Sequence, residues 1–303
     1  GTFSGPGISG NYAFVNSSQR DDYIWSLKFD HSITDAHRAS FFLTRQDQRD
    51  TNITQFRGPL GHGLTNSNRP ENYRVNYDWI ISPTMLLHST FGYSRYRQMW
   101  DNPQQKGFGS QIGLNLSGDS DAFPRIQFTG ADGLTPWGVQ DGKVANGYQF
   151  NYTKQFSQTL SYTRGRHEFK IGWDIRRLGT PAHDLAGSNG LYSFDRAQTA
   201  DPARIAATGH AFASFLLGAA NSASGMATPV LDPNIRYSYH AVFFQDTLRV
   251  NPRLTLELGM RYEVPIGWHM ANGNYSSVDL DKPNPGAGGL PGALVFAGKG
   301  AGR

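Results

Sequence analysis

Three carboxylates lie close together in this sequence: Asp119 and Asp121 in SGDSDAF (117–123), and Asp132 in GADG (130–133). Clustered carboxylate oxygens bind calcium when their spacing fits. The spacing here is not that of an EF-hand, and the stretch reads as a hydrated loop. Glu257 and Glu263 share a parity in LTLELGMRYE (254–263). Two acids at a set separation can hydrolyse a glycosidic bond, but no cleft is implied around this pair. His167 and Glu168 are adjacent, and neighbours in a strand face opposite ways, so they cannot share a metal. The nine histidines are scattered and read as isolated structural or surface residues. GPGISG (5–10) precedes no strand–helix unit, and no phosphate-binding loop, H-E-x-x-H or G-x-S-x-G motif occurs. With no cysteine, disulfides, thiolate metal sites and cysteine nucleophiles are excluded. The chain is therefore expected to hold no cofactor or metal and not to be an enzyme.

What chemistry remains is cationic. Arg45, Arg95 and Arg177 each end a run whose alternate residues are apolar: Ala39, Phe41 and Leu43 before Arg45; Leu87, Phe91 and Tyr93 before Arg95; Ile171, Trp173 and Ile175 before Arg177. A guanidinium at the end of a greasy strip can bind phosphate in two places at once. The three are expected to contact lipopolysaccharide phosphates at an outer membrane rim.

The runs that position these arginines are strands. In GRHEFKIGWDIRR (165–177), His167, Phe169, Ile171, Trp173 and Ile175 fall on one parity and Glu168, Lys170, Asp174 and Arg176 on the other. A strand turns such alternation into one apolar and one charged face. The pattern recurs. Tyr23, Trp25, Leu27 and Phe29 share a face in 23–31, and Tyr73, Val75, Tyr77 and Trp79 share one in 73–81. Phe150 and Tyr152 do so in 148–162, and Leu256, Leu258, Met260 and Tyr262 in 254–263. The segment 236–250 is less regular, since Phe243 and Phe244 are adjacent, and a bulge is expected there. The count is eight strands in four hairpins, each strand about nine residues or more.

Short turns at 32–37, 82–85, 164–166 and 251–253 alternate with long loops at 47–72, 97–147, 179–235 and 264–303. Short turns on one rim and long loops on the other are the pattern of an outer-membrane barrel. The fold class expected is all-β: an antiparallel up-and-down transmembrane β-barrel segment whose apolar parity faces lipid. The short turns are periplasmic in this reading, and Tyr23, Tyr73, Tyr93, Tyr148, Tyr237 and Tyr262 form an outer girdle. A helix is expected in DPARIAATGHAFASFLLG (201–218), with Asp201 as N-cap, Pro202 at its first position, a break at Gly209 and an end at Gly218.

Composition is compatible. Hydrophobic residues make up 38% of 303, and mean hydropathy is −0.50. A barrel is apolar on half of each strand, so its average is soluble-like. The longest apolar stretch, AFASFLLGAA (211–220), is too short for a membrane helix. The net charge of +4 is dispersed, with no Lys/Arg block to suggest a nucleic-acid partner. A secreted β-rich binding or adhesion protein is the competing reading, and it would bury the same side chains under a second layer.

HAFASFLLG (210–218) followed by YHAVFFQDTLRVNPRLTLELGMRYEVP (239–265) resembles the barrel of Oar-like TonB-dependent outer-membrane receptors. GRHEFKIGWDIRR (165–177) and GLYSFD (190–195) match the same segment. The resemblance covers about the second half of the chain. It implies a bacterial outer-membrane location and uptake of a large ligand, such as a carbohydrate or peptide. It also implies a plug domain and an N-terminal box that engages the TonB complex. Neither is visible, and a barrel of this class has about 22 strands, so residues 1–303 are expected to be an internal part of a longer barrel. Outer-membrane lipid, lipopolysaccharide and an unknown ligand are the expected partners.

Overall fold

A computed structural model describes residues 2–3, 11–15, 17–53, 56, 58–61, 63–102, 105–114, 121–130, 132, 134–138, 147–183, 187–225, 233–271, 273 and 275–296. Two short strands, β1 (Thr2–Phe3) and β2 (Tyr12–Ala13), pair with each other. The first long strands are β3 (Ser17–Thr34), β4 (His37–Ile53), β5 (Thr65–Ser82) and β6 (Met85–Asp101). Helix α1 (Phe108–Gln111) and strand β7 (Arg125–Phe128) follow. Next come the long strands β8 (Gly147–Arg164) and β9 (His167–His183), then β10 (Leu191–Phe194), α2 (Ala211–Leu216) and β11 (Ser222–Ser224). The chain continues with long strands β12 (Asn234–Asn251) and β13 (Leu254–Met270), and then a hairpin of β14 (Ser276–Asn284) and β15 (Leu290–Phe296).

The eight long strands form one antiparallel sheet in the order β13-β12-β9-β8-β6-β5-β4-β3. The sheet is open, and β3 and β13 form its two edges. Each hairpin closes through a two-residue turn, at Asp35–Ala36, Pro83–Thr84, Gly165–Arg166 and Pro252–Arg253. A proline fits such a turn because no ladder hydrogen bond is lost there. Gly165 takes a φ of 62°, which its turn requires and a side chain would oppose.

Pairing fixes which side chains share a face. One row runs across the whole sheet: Phe29, Phe41, Val75, Phe91, Phe156, Ile175, His240 and Val264 are successive cross-strand partners. Among the described residues no second layer covers this apolar face. Met260 is 74% exposed, Trp25 65% and Trp173 46%. The long strands run 17 or 18 residues, longer than the alternation suggests and about twice as long for the runs at 23–31, 38–46 and 73–81. The expected loops at 47–72, 97–147, 179–235 and 264–303 are correspondingly shorter. The last of them holds the β14–β15 hairpin, whose Val278 and Leu280 are exposed.

A bulge lies within 236–250 as expected, but not at Phe243. The pairing of β12 with β13 shifts between Arg236 and Ser238 and again between Arg249 and Asn251, and is continuous between Ser238 and Arg249. The parity of 236–250 is mixed because Tyr239 and Phe243 turn to the polar face. There the Phe243 ring lies over Gly172, where a Cβ would sit 2.5 Å from the ring and 2.6 Å from the Gln158 carbonyl. Glycine is needed at 172 because an aromatic ring takes the space of its side chain.

The long connections fold on one another at the loop rim. β7 and β10 run parallel and β11 pairs with β10, giving a three-stranded sheet. Its core is Ile126, Phe128, Phe194 and Ala211, with Trp137 and Phe215 against them. The expected helix over 201–218 is confined to Ala211–Leu216. Asp201 caps a turn instead, accepting from the backbone N–H of Ala203 and pairing with Arg204 at 3.0 Å. Gly209 has a φ of 76°, incompatible with helix, and His210 is the cap that accepts from Phe212 N–H. Gly218, with a φ of 67°, ends the helix as expected.

Candidate functional site

The polar face carries two hydrogen-bonded networks. At its centre Asp174, 6% exposed, accepts from Arg176 at 2.6 Å and from Gln155 at 3.3 Å. Arg261 stands 3.8 Å from the same carboxylate and donates to Glu263 at 2.6 Å and to the Tyr239 hydroxyl at 3.1 Å. The Arg176 guanidinium lies 5.4 Å from the Tyr239 ring, and that of Arg261 lies 5.9 Å from Phe243. Arginine over an aromatic face is a favourable pairing that fixes both planes. Farther along the sheet, Asn76 donates to Ser40 at 2.9 Å and accepts from Thr90 at 3.0 Å. His88 contacts Asp78 at 2.5 Å, and Arg74 lies 5.6 Å from the Phe42 ring. Such a wall of amides, hydroxyls, ion pairs and aromatic rings suits a hydrated ligand.

The apolar-parity side chains lie together on the opposite face. Tyr23, Trp25, Leu27, Phe29, Val75, Trp79, Ile171, Trp173, Leu256, Leu258, Met260 and Tyr262 are exposed. Tyr77, Phe150, Tyr152, Phe169 and Ile175 are half-buried among neighbours on that face. Of the girdle tyrosines, Tyr73 and Tyr93 are direct partners with ring centroids 6.0 Å apart. Tyr237 is a correction: it pairs with Leu178 and so belongs to the polar face.

Toward the loop rim the apolar face becomes charged, and its arginines are not equivalent. Arg45 donates to Asp47 at 2.8 Å, and Arg69 shares that carboxylate. Arg95 donates at 2.7 Å to Glu71, which is 4% exposed. Arg177 is exposed, with no ion-pair partner among the described residues. Its cross-strand partner is Lys154, also exposed. Lys154 and Gln158 occupy the apolar parity of β8, and attention to the aromatic residues alone passes over them. The carboxylates Asp47 and Glu71 carry the same lesson, since each shares the parity of its strand's apolar residues.

Of the loop aspartates, Asp121 and Asp132 have separate partners and share no site. Asp119 lies outside the described residues. Asp121 accepts from the Ser110 N–H at 2.6 Å and its hydroxyl at 2.8 Å. Asp132, 3% exposed, accepts from the Ala211 N–H at 2.6 Å and from Arg196. Burial opposes its charge, but these two donors outweigh burial and hold its pKa below the ordinary carboxylate value. It therefore fastens α2 to the β7 side of the loop fold. His167 pairs with Asp246 at 2.7 Å on the apolar face, away from Glu168. Among the described residues no three potential ligands are grouped to hold a metal.

No curated protein matches the chain. A family model described as outer membrane beta barrel domain matches residues 2–303. That match agrees with the single-layer antiparallel sheet and its uncovered apolar face. The chain belongs to the outer membrane beta barrel domain family, and its place is the bacterial outer membrane.

Proposed function

We infer that the chain is part of the barrel wall of an Oar-like TonB-dependent receptor that takes up a large ligand across the outer membrane. The apolar face meets lipid, and the polar face lines the passage. The two-residue turns lie at the periplasmic rim, and the loop fold built on Ile126, Phe194 and Ala211 stands outside the cell. The observation that carries this reading is the asymmetry of the sheet, with exposed Trp173 and Met260 on one side and the Asp174–Arg176–Arg261 network on the other. Its chemistry favours binding over catalysis, and the hydrated wall with aromatic faces suits a carbohydrate or peptide. The free edges of β3 and β13 are where further barrel strands would pair. The TonB complex would act through a segment N-terminal to this wall.

These 303 residues contain no cysteine, so a direct test needs only the removal of any cysteine elsewhere in the full-length receptor. Single cysteines replace Gln155, Arg176 or Trp173 in the full-length receptor, and intact cells meet a small membrane-impermeant thiol reagent. Gln155→Cys and Arg176→Cys are expected to react, and Trp173→Cys to stay protected. The opposite order would overturn the assignment of faces. Uptake of fluorescent oligosaccharides and peptides, with and without TonB, tests the transport step; equal accumulation in both strains would reject energised uptake.

A further inference from the structure

We propose that Lys154, Arg177 and Arg236 form a docking site for the phosphate of an outer-leaflet lipid, whose acyl chain lies in the groove beneath them. The proposal rests on the apolar face meeting lipid. Lys154 is the direct cross-strand partner of Arg177, and Arg236 is that of Gly179, two residues beyond Arg177 on the same face. Like charges placed opposite one another repel. The other cations at this height have partners: Arg45 has Asp47, and Arg95 has Glu71. The three here have no carboxylate partner among the described residues, and all three are exposed. Their same-face neighbours are Tyr93, Tyr152, Phe156, Ile175 and Ser238.

The ground between the cations is a flat aromatic floor laid over a buried glycine. Gly179 has no side chain, and the Tyr152 ring leans into the space a Cβ would need. The Lys154 ammonium lies 5.8 Å from that ring. A phosphate centred here would meet a guanidinium fork from one strand, an ammonium from a second and another guanidinium from a third.

Below the cations the same face is shaped for a hydrocarbon chain. One row down are Phe156 and Ile175. The next row, about 13 Å from the cations along the strands, opens a groove of about 460 Å³. Leu87, Leu160, Ile171, Trp173, Val242 and Phe244 line it. Cations above an apolar groove match a lipid with a phosphorylated headgroup, and they match a free phosphate only in part.

The test uses the full-length protein reconstituted in phosphatidylcholine vesicles. Lipopolysaccharide, enzymatically dephosphorylated lipopolysaccharide, or inorganic phosphate is added, and thermal unfolding is followed. Phosphorylated lipopolysaccharide is expected to raise the midpoint, and the other two are not. The triple variant Lys154→Gln/Arg177→Gln/Arg236→Gln is expected to need at least tenfold more lipopolysaccharide. The charge-retaining Lys154→Arg/Arg177→Lys/Arg236→Lys is expected to restore most of the effect. An equal response to dephosphorylated lipopolysaccharide, an equal response to inorganic phosphate, or an unaltered Gln variant would each overturn the proposal. Quenching of Trp173 by brominated acyl chains, measured against Trp173→Phe, reports separately whether this face meets lipid. Quenching without phosphate dependence would sink the site and leave the barrel reading standing.

Discussion

Gln158 donates from its side-chain amide to the Ser89 hydroxyl at 2.9 Å, in the middle of the apolar face. The two are direct partners on β8 and β6, flanked in their row by Tyr77 and Trp173. Removing both polar groups removes a need, while removing one leaves the other unpaired. Ser89→Ala alone is expected to lower stability by about 1–3 kcal/mol. Gln158→Leu together with Ser89→Ala is expected to be neutral or stabilising. Thermal unfolding in lipid vesicles checks the pair, and a double variant less stable than the single one would contradict the account.

Arg95 and Arg177 have similar positions in their strands but are expected to respond oppositely to replacement. Arg95 neutralises a carboxylate that is almost wholly covered, that of Glu71. Arg95→Gln leaves that charge unpaired at a cost of about 2 kcal/mol, a buried-pair value discounted for the partly exposed guanidinium. Arg177→Gln removes a repulsion with Lys154 and is expected to be neutral or mildly stabilising without lipopolysaccharide. Denaturant unfolding of the two variants gives the comparison directly.

Asp132 is expected to control the loop fold without affecting the sheet. Asp132→Asn keeps the shape but loses the charge that Arg196 and the α2 N-terminus share, costing the loop fold about 1.5–3 kcal/mol. Limited proteolysis on intact cells should cut the 187–225 region faster while the barrel stays resistant. The pH dependence has a fixed sign. The folded pKa lies below the unfolded value, so the contribution is complete above about pH 5. It is lost as pH falls through the lowered folded value. A loop fold that loosened on going from neutral to alkaline pH would contradict this role.

A charge moved along the apolar face should report depth. Arginine at Trp173, midway along the apolar part of β9, is expected to cost about 2–4 kcal/mol. Arginine at Trp25, whose cross-strand partner is Arg45, is expected to cost about 0–1 kcal/mol. Heat-modifiable gel mobility of the assembled barrel measures both. Equal costs would mean that the two positions do not differ in depth.

The strands were legible where one parity was greasy. Phe169, Ile171 and Trp173 against Lys170 and Asp174 leave no choice of face. The outer halves were not legible, because RQDQRDTNI (45–53) is polar on both parities and alternation has no contrast to show. Strand pairing, not hydrophobic pattern, extends those segments. Tyr239 and Phe243 blurred β12 because their rings serve arginines on the polar face, and a ring stacked on a guanidinium looks in sequence like one meant for a core. The loop fold was hidden for another reason. Ile126, Phe194 and Ala211 are far apart in the chain, and periodicity within a window cannot reveal contacts of that range. Asp132 read as part of a hydrated loop because its true partners, Arg196 and the Ala211 N–H, are more than sixty residues away.

The strand length sets where a ligand is first met. A strand of 18 residues spans about 59 Å at roughly 3.3 Å per residue. A tilt near 40° reduces that to about 45 Å of height, against an apolar band of about 25 Å. In the proposed orientation about 20 Å of wall stands clear of the membrane, on the side of the long connections. This overhang is a vestibule. A molecule caught there has left bulk solution but has not reached the bilayer's depth, so capture and passage are separate events along one axis. Substitutions in the vestibule would then change how often a ligand is held, and substitutions around Asp174 would change how fast it moves on.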